Sequence, residues 1–298
     1  MVSILIPIYN RDARMLVREI IHQAELLGIE FEVICFDNHS VFYRDKNIQI
    51  ANFTNCSYEY LNEGINTHAV RNRLADAAKY NYLLFLDSDL KIDYHHFLKN
   101  YIQEIPKSEV ICGGIHYLPW PPTSEYTLHW LYGMRQEMKK SIKNYSFLSC
   151  NFMIKRTLFD EIRFDENLKE FGHQDPVFGM ELNRRRINRK HVFSPVAHNG
   201  LDHTDVFLER IRETMHDLAE YLKLTAVTYR DAKGYRYLRF FLLMKRVKIS
   251  SVFEKLFRVM IKPIESNLRS QYPILMFLKV YKIWFLCHYF HKKFPTLH

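Results

Sequence analysis

The chain has 298 residues, of which 48% are hydrophobic, and it carries a formal net charge of +9. This length and apolar content fit a globular protein with one large domain, alone or with an appendage, and they exclude an intrinsically disordered chain. Glycine occurs only nine times, and neither a P-loop motif nor a GxGxxG motif is present, which argues against nucleotide binding through either glycine-rich loop.

The five cysteines are odd in number and scattered, with no CxxC pair among them. This pattern predicts reduced thiols in a cytosolic protein and argues against a structural zinc site. Met1 leads directly into an apolar run that is typical of a first strand, so no secretory signal is predicted.

The first hundred residues alternate strand and helix patterns, which predicts a parallel α/β sheet. Gly28 predicts the end of the first helix, and Thr67 predicts the N-cap of the second. The predicted strands are residues 2–8, 31–36, 58–61 and 82–86, and the predicted helices are residues 13–27 and 67–80.

Residues 83–89 read Leu-Leu-Phe-Leu-Asp-Ser-Asp, in which an apolar run leads straight into two carboxylates. The run predicts a buried strand of a parallel sheet, and open α/β sheets bind ligands beyond the carboxyl ends of such strands. Asp87 and Asp89 would repel each other unless a cation neutralised them, and their hard oxygen atoms suit Mg²⁺ or Mn²⁺. A metal site is one interpretation, and a polar turn that ends the strand is the other.

After Asp89 the predicted elements become mixed. The prolines between Leu118 and Pro122 predict a loop, because proline removes a backbone donor and fixes the backbone. The predicted helices are residues 94–104, 125–142, 156–162, 175–188 and 204–223, and the predicted strands are residues 109–115, 146–154 and 190–193.

The basic charge is concentrated at the C-terminus: residues 229–298 hold 15 Lys and Arg against three Asp and Glu. Residues 235–261 mix large apolar side chains with basic ones, and residues 272–290 are strongly apolar but contain Lys279 and Lys282. Basic residues among aromatic ones are typical of helices that lie in an anionic membrane interface. Packing on the rest of the chain or on another subunit, and a membrane-spanning helix, are the alternatives. No motif supports a nucleic-acid role.

Six motifs follow one another in a fixed order over about residues 1–220. They are SILIPIYNR, FDNHS, NEGINTHAVRNRLADAA, YLLFLDSDL, FLSCNFMIKRTLFDEIRFDE and EFGHQDPVFGMEL. In this order they resemble a family 2 glycosyltransferase. The resemblance implies the α/β GT-A fold, a Rossmann-like mixed sheet flanked by helices, with a C-terminal helical extension. Residues 1–225 would form the GT-A domain, and residues 226–298 a basic, aromatic-rich helical tail that associates with the membrane.

The resemblance also implies a site for a nucleotide-sugar donor. In it, Asp37 contacts the base, usually uracil, and Arg71 lies near the diphosphate. The alternative for Asp37 is that it is only a turn residue, and the alternative for Arg71 is a helix-surface salt bridge. The remaining residues that the resemblance puts beside the donor are Pro7, Ile8, Asn10, Asn62, Gly64, Asp87 and Ser88.

By the same resemblance, Asp89 is a direct metal ligand, and Asp87 reaches the ribose or a metal-bound water. His198 is a candidate third ligand, since a neutral imidazole suits Mn²⁺, and a structural loop histidine is the alternative. The implied cofactor is Mn²⁺ or Mg²⁺, which would stabilise the negative charge of the leaving nucleoside diphosphate.

An inverting transfer needs a general base beside the acceptor hydroxyl, because a neutral alcohol is a poor nucleophile. The family carries an acidic pair at the position where this chain has Gln174 and Asp175. We therefore expect Asp175 to be the base, with a helix N-cap as the alternative role. Gln174, where the family often has Glu, departs from the pattern. His173 and Trp120 are further candidates on the acceptor side.

Together these features predict a metal-dependent inverting hexosyl- or N-acetylhexosaminyltransferase. It would move a sugar from a nucleotide-sugar donor, a UDP-sugar, to a glycan or lipid-linked acceptor in bacterial surface-polysaccharide synthesis. It would be cytoplasmic and peripheral at the inner face of the cell membrane, with an anionic membrane surface and no nucleic acid as a partner. The alternatives are a catalytically silent sugar-nucleotide-binding or scaffold protein, supported by Gln174, and a nucleotidyltransferase, which the missing phosphate loop disfavours.

Overall fold

The computed structural model describes residues 1–140, 147–167 and 174–292, without the side chains of Lys140 and Gln174. The candidate residue His173 lies outside the described residues, as do one end of the predicted helix at 125–142 and one end of the predicted strand at 146–154. The strands of the described part are β1 (Val2–Ile8), β2 (Phe31–Asp37), β3 (Cys56–Tyr60), β4 (Tyr82–Leu86), β5 (Leu90–Lys91), β6 (Val110–Cys112), β7 (Ile115–His116), β8 (Asn151–Lys155), β9 (Arg189–His191) and β10 (Val196–His198).

Helices flank these strands and make up the C-terminal part of the chain. They are α1 (Arg14–Leu26), α2 (Arg44–Asn47), α3 (Thr67–Ala77), α4 (Phe97–Glu104), α5 (Thr127–Tyr132), α6 (Met138–Lys140), α7 (Arg156–Ile162), α8 (Gln174–Arg184), α9 (Thr204–Leu224), α10 (Arg236–Arg246), α11 (Ser250–Phe257), α12 (Ile261–Leu268) and α13 (Leu275–His291). A π-helical turn, Gly133–Glu137, joins α5 to α6.

The main sheet has seven strands in the order β3-β2-β1-β4-β8-β6-β9. β1 is parallel to both β2 and β4, whereas β8 is antiparallel to β4 and to β6. β2 and β3 follow β1 on one side of it, whereas β4, the next strand in the sequence, lies on the other side of β1. The strand order therefore reverses between β1 and β4, and such a reversal opens a ligand crevice at the carboxyl ends of the two strands.

The central strands are apolar almost throughout because helices cover both faces of a mostly parallel sheet. Ile4 and Leu5 of β1 and Leu84 and Phe85 of β4 are completely buried. The ring of Phe85 stacks on that of Phe152 in β8, with ring centroids 4.9 Å apart. The continuous apolar runs read from the sequence thus correspond to the core of the sheet, and the predicted α/β fold class is confirmed.

A second sheet has three strands in the order β5-β10-β7. Its strand β5 begins directly after Asp89, the last residue of the acidic turn. In the antiparallel pair of β10 and β5, His198 is opposite Leu90, the residue after Asp89. β10 was not predicted, since three residues show no clear period in a sequence. This short strand is what brings His198 to the acidic turn.

Several local predictions are wrong. The strand predicted at 146–154 begins only at Asn151 among the described residues, and the helix predicted at 175–188 ends at Arg184. The strand predicted at 109–115 is divided into β6 and β7, which join different sheets, because the chain turns at Gly114 with a φ of +92°, in the region that favours glycine. The N-cap of α3 is Asn66 and not Thr67. The Asn66 side chain accepts a hydrogen bond of 2.7 Å from the His68 backbone N–H, which satisfies one free donor of the first turn.

The chain divides into two compact units, each built from several segments. The first unit holds both sheets and comprises residues 1–119, 133–170 and 185–200. The second unit is helical and comprises residues 120–132, 171–184 and 201–298. The domain boundary near residue 225 that the sequence suggested stays a prediction.

The second unit is organised around α13. Helices α9, α10, α11 and α12 all pack against it, and its Leu278, Tyr281 and Trp284 are buried. Most of residues 272–290 therefore pack against the rest of the chain, which was one of the alternatives to membrane contact. Within the described part of the chain, no helix has both the length and the apolar character needed to cross a bilayer.

Candidate active site

The loops that follow β1 and β2 are tied together at the crevice. Pro7 and Ile8 lie at the end of β1, and the Ile8 carbonyl accepts a hydrogen bond of 2.8 Å from the Asn38 backbone N–H. Asn10 adopts a positive φ of 50°, a conformation that asparagine tolerates, and its Oδ1 accepts hydrogen bonds from the backbone N–H groups of Val41 and Phe42. Asn10 thus fixes the wall of the predicted nucleotide site.

Asp37, the candidate base-binding residue, is completely buried at the end of β2. Its Oδ1 accepts a hydrogen bond of 2.9 Å from the Ser40 backbone N–H, and its Oδ2 accepts one of 2.7 Å from the Tyr58 hydroxyl. Burial raises the pKa of Tyr58, and the hydrogen bond to Asp37 raises it further. Both carboxylate oxygens therefore hold the loop in place, and a contact between Asp37 and a base stays a prediction.

Asn38 is a site residue that the sequence reasoning did not single out. Its side chain makes a reciprocal pair with the backbone of Ile65: Nδ2 donates to the Ile65 carbonyl at 2.7 Å, and Oδ1 accepts from the Ile65 N–H at 2.9 Å. This pair anchors the exposed turn that carries Asn62 and Gly64. An asparagine directly after an acidic strand end, in the FDN motif, is the signal that could have identified it.

Arg71 and Asp87 form an ion pair and hydrogen bond at the carboxyl end of β4. Arg71 is only 3% exposed, and its guanidinium lies 5.7 Å from the centre of the Phe164 ring, so the alternative of a helix-surface salt bridge is wrong. Desolvation raises the pKa of Asp87, the charge of Arg71 opposes that rise, and the charge of Asp89 adds to it. Part of the repulsion between the two carboxylates is thus relieved by the chain's own arginine.

Asp89 and His198 face each other at the same end of the sheet, with 3.5 Å between Asp89 Oδ2 and His198 Nε2. The Asn199 backbone N–H donates a hydrogen bond of 3.1 Å to the Asp89 carbonyl. Gly200 leaves the space in which the carboxylate lies: a β-carbon there would be 2.0 Å from Asp89 Oδ2. Gly200 is the second site residue that the sequence reasoning missed.

Tyr117 supports His198 from behind, with 5.4 Å between the two ring centroids. Its ring lies against Gly133, where a β-carbon would be 2.2 Å from a ring carbon, and its hydroxyl donates a hydrogen bond to Glu137. Gly133 and Glu137 are the two ends of the π-helical turn, and such turns occur frequently at functional sites. The position of the histidine thus depends on this turn.

The donor atoms at this end of the sheet fit a divalent cation that is bound together with a substrate. One carboxylate oxygen and one imidazole nitrogen are a suitable pair for Mn²⁺, and Mg²⁺ sites commonly combine one or two carboxylates with substrate phosphates. Within residues 1–140, 147–167 and 174–292, no three His, Cys, Asp or Glu side chains form a metal-binding group on their own. Metal ligation by Asp87, Asp89 and His198 stays a prediction.

A groove of about 520 Å³ runs beside the acidic turn, between α1 and β5. Ser88 and Asp89 form part of its wall, as do Arg11 and Arg18. The groove therefore offers cationic and anionic groups at the point where the crevice opens.

The candidate general base, Asp175, lies in the first turn of α8 in the second unit. Its backbone carbonyl accepts a hydrogen bond of 2.7 Å from the Tyr235 hydroxyl. Burial raises the pKa of Tyr237, and the charge of Asp175 raises it further. Gln174 begins the same helix, and Trp120, also in the second unit, is 78% exposed. A carboxylate is favourable here because helix N-termini carry partial positive charge.

Comparison with known families gives one match: the model of glycosyl transferase family 2 matches residues 3–163, more than half of the chain. A search of curated proteins finds no match. The matched residues include every candidate on the donor side except His198.

Three solved structures with similar folds are distant from this chain in sequence. A mannosyltransferase from Pyrobaculum calidifontis, PcManGT, in complex with GDP-Man and Mn²⁺, is 12% identical over 97% of this chain and 86% of its own, with a TM-score of 0.63. TarS 1–349 from S. aureus, in complex with UDP-GlcNAc, is 16% identical over 95% and 90%, with a TM-score of 0.50.

Glucosyl-3-phosphoglycerate synthase from Mycobacterium tuberculosis, in complex with phosphoglyceric acid, is 13% identical over 74% of this chain and 79% of its own, with a TM-score of 0.50. At such identities the likeness concerns the fold alone. The family match and these structures confirm the predicted GT-A fold with helices at its C-terminus.

Proposed function

The chain belongs to glycosyl transferase family 2, and from this premise we propose that it transfers a sugar, with inversion, from a UDP-sugar to a glycan or lipid-linked acceptor. The observation that carries the proposal is the set of two side-chain pairs at the β1/β4 crevice, Arg71 with Asp87 and Asp89 with His198. A nucleoside diphosphate is the ligand class that needs both cationic groups and metal-binding groups at such a strand end.

Arg71 and Asp87 are assigned to the donor. The buried guanidinium holds the Asp87 carboxylate in one orientation, so that the carboxylate is ready to accept a hydrogen bond from a ribose hydroxyl or a metal-bound water. Asn10, Asp37 and the Asn62–Gly64 turn would line the nucleoside. UDP is favoured because the family's acidic position at Asp37 usually contacts uracil, and the TarS structure contains UDP-GlcNAc.

Asp89 and His198 would hold Mn²⁺ or Mg²⁺ together with oxygen atoms of the donor diphosphate. When bound, the cation supplies positive charge that stabilises the leaving nucleoside diphosphate. The chain's own part is to keep the Asp89 oxygen and the His198 nitrogen together, which Gly200 and Tyr117 do by shape. The PcManGT structure contains Mn²⁺, which supports this choice of metal.

Asp175 would accept the proton of the acceptor hydroxyl as the sugar is transferred. It lies in the first turn of α8, and the partial positive charge of a helix N-terminus suits a carboxylate. Gln174 beside it offers an amide where a carboxylate is common in the family, so it would donate as well as accept hydrogen bonds to the acceptor.

The acceptor is proposed to be a surface-polysaccharide intermediate at the inner face of the cell membrane, and the transferred group a hexosyl or N-acetylhexosaminyl unit. The strongly basic second unit would hold the enzyme at that surface as a peripheral protein. A catalytically silent sugar-nucleotide-binding protein is the second candidate, and Gln174 is the observation that favours it.

The test is thermal unfolding of the full chain with UDP, GDP, UDP-Glc, UDP-Gal and their N-acetyl forms, with and without Mn²⁺. A ligand that binds only the native state raises the unfolding temperature. We expect a UDP-sugar to stabilise the protein in the presence of Mn²⁺ and much less in its absence. Absent or metal-independent nucleotide binding would overturn the donor-site assignment.

The Asp175→Asn variant separates the two candidate functions. We expect it to keep the nucleotide-dependent stabilisation and to lose about 10²–10⁴-fold in transfer, the range for loss of a general base. Asp160→Asn, at an exposed position in α7, is the matched control and should retain transfer. If the wild-type protein binds donor but transfers to no acceptor, the silent binding protein is the better description.

A further inference from the structure

We infer that one exposed surface of the second unit is a docking site for an anionic lipid bilayer. This surface, the α10–α11 face, consists of the exposed side chains between Phe240 and Lys262. It rests on the membrane location in the proposed function and names the surface responsible, which lies on the helices of the segment 235–261 and not on α13.

Apolar side chains on the α10–α11 face recur at helical spacing and point to solvent. Along α10 they are Phe240, Leu243 and, just past its end, Val247; along α11 and the turn after it they are Val252, Leu256 and Val259. All six are between 46% and 78% exposed. The spacing of three or four residues aligns each set along one side of its helix, as in helices that lie at a membrane surface.

Cations surround these apolar side chains, and exposed anions are missing from the segment. Residues 240–262 contain the exposed cations Lys245, Arg246, Lys248, Lys255, Arg258 and Lys262. The single carboxylate in this segment, Glu254, is 6% exposed and is bound by Arg258 and by His288. Burial alone would raise the pKa of Glu254, but hydrogen bonds from these two partners lower it overall.

The helices that carry this face are already fixed before any partner binds. Leu238, Phe241 and Met244 of α10 are buried on the side opposite the exposed stripe, and α10 packs on α13. The Trp284 indole of α13 donates a hydrogen bond of 2.8 Å to the Glu254 carbonyl in α11. Docking would therefore require little ordering of the chain, which keeps its entropic cost low.

The chemistry of the face favours lipid over the other possible partners. Five of the six apolar side chains are aliphatic, and aliphatic groups insert among acyl chains but do not stack on nucleic-acid bases. A second copy of the chain would bring like charges together, which costs free energy. Anionic head groups match the cations, while the acyl region accepts the leucine and valine side chains.

Sedimentation of the full-length protein with vesicles tests the proposal. One set of vesicles is pure phosphatidylcholine, and the other is an equal mixture of phosphatidylcholine and phosphatidylglycerol. We expect strong binding to the mixed vesicles, weak binding to the neutral ones, and release as the salt concentration rises. Lys248→Glu with Lys255→Glu should weaken binding about fivefold for each cation lost, and Leu243→Ser with Leu256→Ser by about tenfold or more.

Two control pairs match these variants in chemistry and lie in the first unit. They are Lys99→Glu with Lys190→Glu, and Leu26→Ser with Leu118→Ser, all at exposed positions. We expect both control pairs to bind mixed vesicles as the wild type does, and all variants to keep the wild-type circular dichroism spectrum and unfolding temperature.

The proposal is overturned if the wild type binds neither kind of vesicle, if it binds both equally, or if the control pairs lose as much binding as the α10–α11 variants. It is also overturned if the mixed vesicles are outcompeted by RNA at equal phosphate concentration. Vesicle binding does not depend on sugar transfer. If the unfolding experiment overturns the donor-site assignment but the protein still binds vesicles, the proposed function is refuted and the proposed docking surface is not.

Discussion

Gly200 determines where the Asp89 carboxylate can lie, because any larger residue would occupy the same space. The backbone N–H of the neighbouring residue Asn199 donates a hydrogen bond to the Asp89 carbonyl, which holds the acidic turn. Gly200 leaves the space for the Asp89 carboxylate. In the proposed metal site, Gly200 would fix the orientation of the Asp89 carboxylate, as hydrogen-bonding partners do for other metal ligands.

Gly200→Ala is expected to lower the affinity for Mn²⁺ in the presence of UDP by about 10–100-fold, the range for loss of a ligand-orienting neighbour. The measurement is calorimetric titration of Mn²⁺ into the protein saturated with UDP. Asn199→Ala is the local control, since it keeps the backbone hydrogen bond to Asp89. Wild-type Mn²⁺ affinity in Gly200→Ala would mean that Asp89 does not bind the cation from its observed position.

At the scale of single residues, the sequence motifs identified the acidic turn, Arg71 and His198 but not their pairing. Arg71 and Asp87 are 16 positions apart, and only the packing of α3 against the sheet brings the guanidinium to the carboxylate. Gly200 follows no recognisable motif, because its contribution is the absence of a side chain. Such roles depend on three-dimensional contacts, which residue types alone do not encode.

At the scale of elements, strands with strong apolar runs were predictable and short strands were not. β1, β2 and β4 lie within a residue of their predicted ranges, because burial on both faces demands uninterrupted apolar residues. β5, β7 and β10 have two or three residues each, and the small sheet they form exists because of tertiary pairing. The strand that leads to the acidic turn could thus be predicted, and the short strand that positions His198 could not.

Helix α3 carries a pH-sensitive residue, His68, in its buried first turn. Among the described residues, neither ring nitrogen of His68 has a hydrogen-bond partner, and burial, aided by the charge of Arg71, lowers its pKa to about 4. The free imidazole titrates near pH 6.5. The native state therefore binds fewer protons than the unfolded state between these values, so stability falls as the pH falls through this window.

We expect the free energy of unfolding to decrease by up to about 3 kcal/mol through His68 between about pH 7 and about pH 4. Urea unfolding across this range measures the decrease. His68→Leu should flatten the profile, whereas His95→Leu, at an exposed position, should leave it unchanged. An identical pH profile in wild type and His68→Leu would contradict the assignment.

At the scale of the whole molecule, the two compact units of the glycosyltransferase are each built from several segments of the chain. The second unit draws on residues 120–132 and 171–184 as well as on the C-terminal residues, so the chain passes repeatedly between the units. Sequence composition could not reveal this arrangement, because the segments contributed by the middle of the chain are not basic.

A chain that ends at residue 225 is expected to be unstable. α9 packs along α13, and removal of α13 would uncover buried apolar side chains of α9. Each loses about 1.5–3 kcal/mol of burial free energy when exposed, which is comparable with the stability of a whole domain. Soluble expression and thermal unfolding of residues 1–225 measure the effect. A soluble fragment with the wild-type unfolding temperature would support a detachable tail.

The pairing of β10 with β5 has a consequence for biosynthesis. Asp89 leaves the ribosome 109 residues before His198, a delay of roughly 5 to 20 s at ordinary rates of translation. Arg71 is made before Asp87, so both residues of this ion pair are synthesised early. The partner of Asp89, His198, is synthesised only after most of the chain. The nascent protein therefore contains both residues of the ion pair long before it contains both groups proposed to bind the cation.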